Sequence, residues 1–497
     1  MRRPRGGPSR GLAEPASPEY RSGKLDKEVE LLIRARYVGI AGAIALVSGL
    51  CTASVPAVGA IVGVQPLSMR GELASKTQPP TEAQCVASFT VPCYDPAQIE
   101  TAYNEQPLFD RGITGTGETI VIVDSYGSPT IQSDLATFDA QFGLPAPPSF
   151  KIIQPAGAVP AWDPTNSTMT GWGGETTLDV EWSHSIAPGA SILLVETPVA
   201  ETEGVAGFPQ IVEAENYVID HHLGQVISQS FAATEQTFPN AQSLLSLRSA
   251  YINADRHHVT AVAGAGDTGA AGYSNVAGTL LYTYPVVAWP ASDPLVTAVG
   301  GTQLSLNAAG QRTAPDRVWN DTYNASLNDV FFGDPGPNAL ASGGGKSVIF
   351  SRPPYQNGVA NVVGNARGVP DISMSAACSG LVVTYQSFPA TGEPAGWYVV
   401  CGTSEATPMF AGIVALTDQV AGHSLGLINP ALYALKAEHA PGLVPVTLGN
   451  NTVSFTQDGT LYTVQGYSAG PGYNLASGVG TVNAALFVPE LARAASG

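Results

Sequence analysis

The sequence predicts an α/β fold, a doubly wound and mostly parallel sheet with helices on both faces. Three observations carry that prediction. Short β-branched runs alternate with amphipathic stretches, no repeat or long linker interrupts residues 100–497, and 44% of residues are hydrophobic against 12% charged. The run from Thr119 to Val123 reads as a buried strand, and Ile131 to Phe142 has helical spacing after it. Ala190 to Val195, Val226 to Ser230 and Val259 to Ala263 are further strands, separated by helical patterns at Ile211 to His221 and Ala241 to Asp255. In such a sheet, reactive groups belong at the carboxyl ends of the strands. One large domain is expected over residues 84–497, preceded by a polar N-terminal region, 1–83.

Charge divides the chain at the same place. Residues 1–83 hold 11 Lys and Arg against 7 Asp and Glu, whereas 84–497 hold 11 against 33, a net charge of -22. So acidic a body disfavours nucleic acid as a partner. It suits an acidic medium, where carboxylates neutralise and few bases remain to repel one another. The uncharged stretch from Val38 to Val64, preceded by Arg34 and Arg36, predicts an export signal cleaved near Ala57 and Gly59, or a membrane anchor if it is retained. Export would place the protein outside the cell or on its surface. Cys85, Cys93, Cys378 and Cys401 then follow the signal. Four cysteines allow three pairings, and Cys85 with Cys93 and Cys378 with Cys401 is the expected one.

Three segments place reactive residues where a strand or loop meets a helix. In Gly402-Thr403-Ser404, followed by an apolar helical run from Met409 to Leu416, the serine would sit among unpaired backbone N–H groups able to hold an oxyanion. An N-cap serine is the ordinary explanation of such a position. Glu175 and Asp179, four apart, share a helix face and would repel if both were ionised, so a shared proton is the functional reading and a surface pair the plain one. Asp267, in Gly264-Ala265-Gly266-Asp267-Thr268-Gly269, would project past the end of a strand, or simply form a turn.

Together and in this order the three segments resemble the sedolisin family of serine-carboxyl peptidases, which share the subtilisin-like fold. The resemblance covers roughly residues 90–485. It includes Trp289-Pro290-Ala291-Ser292, Val299-Gly300-Gly301-Thr302, Ser342-Gly343-Gly344-Gly345 and Arg367-Gly368-Val369-Pro370-Asp371. It implies endopeptide hydrolysis of polypeptide substrates in acid by a monomer, with Ser404 as nucleophile, Glu175 as its general base, Asp179 orienting Glu175, and a protonated Asp267 donating to the oxyanion. By the same analogy, the strand carrying Ser228 and Ser230 lies beside the substrate backbone; both serines are equally ordinary strand residues.

Two departures stand out. The family binds one calcium near its C-terminus through two aspartates and backbone carbonyls, but Pro445 and Asn474 stand at the matching positions here. Calcium needs several oxygen ligands and anionic charge, so no required cofactor is expected, and only a weak site with Val446, Gly470 and Gly472 as backbone ligands would survive. About 80 residues precede Gln84, fewer than the family's large activation segment would need. Rival readings are a Ser-His-Asp triad using Asp124 and His184, and an inactive peptide-binding protein on the same scaffold. His221-His222 and His257-His258 read as helix ends, and no ligand spacing supports metal hydrolysis.

Overall fold

The computed structural model describes residues 76–496 and the backbone of Met69–Arg70. The apolar stretch from Val38 to Val64 and its flanking arginines lie outside the described residues. Among those described, no helix is long and apolar enough to cross a membrane. A first helix, α1 (Glu82–Phe89), is capped by Thr81 and crosses the boundary expected between residues 83 and 84.

The central sheet is built on β1 (Thr119–Ser125), β2 (Phe150–Ile153), β3 (Ser191–Thr197), β4 (Val226–Gln229), β5 (Thr260–Gly264), β6 (Thr297–Gln303), β7 (Arg317–Val318) and β8 (Ile372–Ser375). Its order is β7-β6-β5-β4-β1-β3-β2, with β8 also paired to β6. All pairs are parallel except the short edge strand β7, which runs antiparallel to β6. Strand parity sorts the core. Ile120 and Ile122 of β1 enter one buried cluster with Leu178 and Ile413, whereas Val121 and Val123 enter another with Phe208, Ile211 and Tyr251. A strand buried on both faces must be apolar at every position, and Thr119–Val123 is β-branched throughout.

The first cluster lies beneath α3 (Ser167–Ile186) and α6 (Thr403–Ala421). The second lies beneath α4 (Phe208–Asp220) and α5 (Ser249–Arg256). Ahead of these in sequence, α2 (Ile131–Phe142) has the bounds its spacing predicts. The pattern at Ala241 to Asp255 is broken into Ala241–Leu245 and α5. Arg248, at the N-cap of α5, is drawn to Asp293 by bonds of 2.5 and 2.8 Å, a tertiary ion pair that local periodicity does not register. Both expected disulfides are present, Cys85–Cys93 with Cα atoms 5.8 Å apart and Cys378–Cys401 at 5.0 Å.

Candidate active site

Helix α6 begins immediately after the strand Gly396–Cys401, which the Cys378–Cys401 disulfide anchors. Gly402 makes the turn between them at φ +129°, a backbone region that side chains disfavour, and its N–H donates to the Ala376 carbonyl at 2.8 Å. Ser404 therefore lies in the first helical turn. It is fully buried, and its hydroxyl has no hydrogen-bond partner among the described residues. Pro408 lacks an N–H, so the Ser404 carbonyl loses its usual donor within the helix.

Asp267 comes to the same turn from the end of β5. Its Oδ1 accepts from the Thr403 N–H at 2.8 Å and from the Thr403 hydroxyl at 2.7 Å. Its Oδ2 is buried and has no hydrogen-bond partner among the described residues. Burial pushes Asp267 up to about 7, against the two bonds from Thr403 that favour its charged form. The loop is locked from behind. A Cβ on Gly343 would lie 2.0 Å from the Ala265 carbonyl oxygen, so the run Ser342-Gly343-Gly344 needs glycine there to pass this close.

The acid pair lies on α3, which packs against α6. The helix is started by Asn166, whose Oδ1 accepts from the Thr168 and Met169 N–H groups, and it stops at Ile186, before Pro188. Glu175 and Asp179 are both fully buried, one turn apart. Asp179 accepts from the Ser230 hydroxyl at 2.7 Å. Burial holds Asp179 well above the usual carboxylate range, and Asp124 and Glu175 add to this by repulsion.

Asp124 is the neighbour that sequence reasoning placed in the wrong arrangement. It shares the parity of Ile120 and Ile122, hence the α3 side of the sheet, where Thr176 adjoins it and Asp179 feels its charge. Burial pushes it up to about 7. A single acid closing an apolar strand, at even spacing from the residues that face α3, was the available signal. His184 is not its partner. Nine residues beyond Glu175, it projects from the opposite side of α3, with Nε2 2.8 Å from the Pro145 carbonyl and 3.4 Å from Asp139. Burial pulls it down to about 4. Ser228 is buried, and the Ser230 hydroxyl is committed to Asp179.

Neither position where the family's calcium aspartates are expected carries a carboxylate. Pro445 offers no side-chain oxygen, Val446 is packed against Val318 and Ala476, and Gly470 contributes backbone alone. Asn474 Oδ1 already accepts from the Ala476 and Ser477 N–H groups at 3.1 and 2.9 Å. The Lys436 ammonium lies 3.4 Å from where a Gly472 Cβ would be. Among the described residues no three His, Cys, Asp or Glu side chains gather in a metal-holding group.

No family model matches the sequence. Kumamolisin of Bacillus sp. (strain MN-32) is 30% identical over 400 residues, covering 78% of this chain and 62% of that protein. Sedolisin of Pseudomonas sp. (strain 101) is 27% identical over 436 residues, covering 86% and 66%. The solved structure of Pseudomonas sedolisin, a serine-carboxyl proteinase complexed with two molecules of pseudo-iodotyrostatin, superposes with a TM-score of 0.63 at 25% identity, over 80% of this chain and 97% of that one. The chain belongs to the sedolisin family. It spans 62% and 66% of the length of the two sedolisin-family relatives above.

Proposed function

We propose that the chain is an exported, acid-active endopeptidase that cleaves polypeptides through an acyl-enzyme on Ser404. The observation that carries this reading is the bonding of Asp267 to Thr403, which puts a buried carboxyl with one free oxygen beside the only serine in the first turn of α6. A serine hydroxyl attacks poorly until a base takes its proton. Glu175 is that base. With Asp179 and Asp124 around it, the acid cluster holds protons as well as charge, and Asp179 passes orientation rather than chemistry to Glu175. As the hydroxyl attacks the scissile carbonyl, charge moves to the carbonyl oxygen, and neutral Asp267 donates to it. Glu175 returns the proton to the leaving amine, then takes another from the water that releases the acyl group.

The mechanism needs Asp267 neutral and Glu175 ionised, so activity belongs on the acid side of about pH 7. Calcium is no part of it. The test is the full chain on denatured protein from about pH 2.5 to 7, beside Ser404→Ala and Glu175→Gln, with products read by mass spectrometry. Internal cleavage by the native chain and none by either variant is the expected result. Equal cleavage by all three would remove the assignment, and binding without cleavage would favour a peptide-binding scaffold.

A further inference from the structure

Just past the end of β4 stands a serine that the proposed catalysis does not use. Ile120 of β1 pairs with Val226 of β4, and Ile122 with Ser228. Asp124 and Ser230, two residues further along each chain, therefore share the parity that faces α3. Both meet Asp179. Asp124 repels it, and the Ser230 hydroxyl donates to its Oδ1 at 2.7 Å. Ser228, of the same parity, has a buried hydroxyl with no hydrogen-bond partner among the described residues. The two serines that look alike in sequence are thus unlike in bonding.

The next residue fixes Ser230 in place. Phe231 is fully buried, and its ring meets Trp172 at 6.3 Å and Phe208 at 6.1 Å between centroids. Trp172 and Asp179 are seven residues apart on α3, two turns along one stripe, with Glu175 between them. Ser230-Phe231 therefore holds α3 about one turn before Glu175 and about one turn after it. At Asp179 the hydroxyl makes the two carboxyl oxygens unlike, because Oδ2 is buried with no hydrogen-bond partner among the described residues. The same construction recurs at Asp267, whose Oδ1 takes the Thr403 hydroxyl at 2.7 Å while Oδ2 has no such bond.

We propose that Ser230 is a positioning residue: by occupying Oδ1 of Asp179 it keeps the carboxyl proton on Oδ2 and turns that oxygen to Glu175. The proposal rests on Glu175 being the base of Ser404. A hydroxyl that donates to one carboxyl oxygen bars the proton from that oxygen, since two hydrogens would meet there. Neutral Asp179, so oriented, donates to Glu175 and favours its charged form, the form able to take the Ser404 proton. Without the hydroxyl the carboxyl could rotate and present either oxygen. Donation from Ser230 by itself favours a charged Asp179, but burial, with Asp124 and Glu175, outweighs it and holds the group above the usual carboxylate range. The other ionisable groups nearby are also acids. Glu196 at the end of β3 reaches Asp124, Glu405 of α6 lies toward Ser375 and Asp267, and Glu181, on another face of α3, accepts from the Tyr385 N–H. Among the described residues no ion pair reaches Asp124 or Asp179.

The test compares the full chain with Ser230→Ala and Ser230→Thr on a quenched fluorescent peptide that spans one internal cleavage site, from about pH 2.5 to 7. Ser230→Ala should lose about tenfold in kcat, the worth of one buried hydrogen bond, with KM changed by less than about twofold. Its acid limb should move up by at least about half a pH unit, because Glu175 loses an oriented donor. Threonine keeps the hydroxyl and should restore most of the rate and the position of the limb. A loss confined to KM would place Ser230 against the substrate backbone and overturn the proposal. So would a lower kcat with an unmoved limb, or one that threonine does not restore, since either marks a merely structural serine. Where alanine does not fold, Ser230→Cys keeps the size with a weaker donor, and the same limb shift is expected in smaller measure. Ser404→Ala and Glu175→Gln are assayed beside them. An active Glu175→Gln would remove the base itself, whereas inactive controls with an unshifted Ser230→Ala would remove this proposal alone.

Discussion

Two buried regions use the same side chain to opposite ends. At Asp371, a fully buried guanidinium supplies the missing charge. Arg367 Nη1 lies 2.7 Å from Oδ1, where Tyr433 also donates at 2.9 Å, and the Ala298 N–H meets Oδ2 at 2.9 Å. Around α3 and the start of α6, Asp124, Asp179, Asp267 and Glu405 are also buried, and among the described residues no ion pair reaches any of them. A carboxyl taken out of water must find a counter-charge or keep its proton. The first solution makes an ion pair whose carboxylate also takes the Ala298 N–H of β6. The second leaves carboxyls that burial holds above their usual range, which the proposed mechanism requires of Asp267. Under the mechanism proposed above, the sparse bases of residues 84–497 matter, because a lysine there would turn proton donors into salt bridges.

The comparison breaks most sharply at Asp267. Asp267→Ala should lower kcat by about 10² to 10³ at pH 4, as loss of one oxyanion donor does. Asp267→Asn keeps a donor that cannot titrate, so its rate should hold across the fall expected near pH 7 in the native chain. Steady-state pH profiles of the two variants check this, and a fall in the asparagine variant at the same pH would show that another group sets that limb.

Next in size is the paired region. Arg367→Met strands Asp371 without its cation and should cost about 3–5 kcal/mol of stability by urea unfolding at pH 5. Removing an acid from the unpaired region should do the reverse. Glu405 follows Ser404, and burial holds it well above the usual range, with the Ser375 hydroxyl opposing and the Asp267 charge adding. A group whose folded value exceeds its unfolded one stabilises most below the unfolded value and loses that contribution as pH rises. Glu405→Gln should then leave stability at pH 4 near the native level. Toward pH 7 it should gain about 1.4 kcal/mol for each unit climbed above the unfolded carboxyl, until the folded group would itself ionise. A variant less stable than the native chain at pH 7 would count against a neutral Glu405.

How much of this the sequence shows depends on the range of the interaction. Local periodicity is enough for β1 and α2, whose apolar positions repeat within a few residues. The break before α5 is not visible there, because Asp293 lies 45 residues from Arg248. Ser404, Glu175, Asp179 and Asp267 are readable through ordered motifs. Asp124 is harder, since its place beside Asp179 depends on which strand lies under α3 and on which parity faces it. Ser230 looks like a plain strand residue until the register of β1 against β4 sets it on the side of Asp124 and Asp179.

The smallest effect is expected at the third group of acids, the one that is missing. A calcium site built on carboxylates competes with protons, so acid weakens it. Asn474 replaces such a ligand with a side chain that needs no charge, bonding the Ala476 and Ser477 N–H groups directly, while the Lys436 ammonium stands by Gly472. A ligand bound only by the folded state raises the midpoint with concentration. Thermal unfolding at pH 5 and 7 with calcium or with chelator, each at about 1 mM, should differ by less than about 2 °C. A chelator-induced fall of about 10 °C would mean that backbone oxygens alone build a site, and that the ammonium of Lys436 moves aside for it.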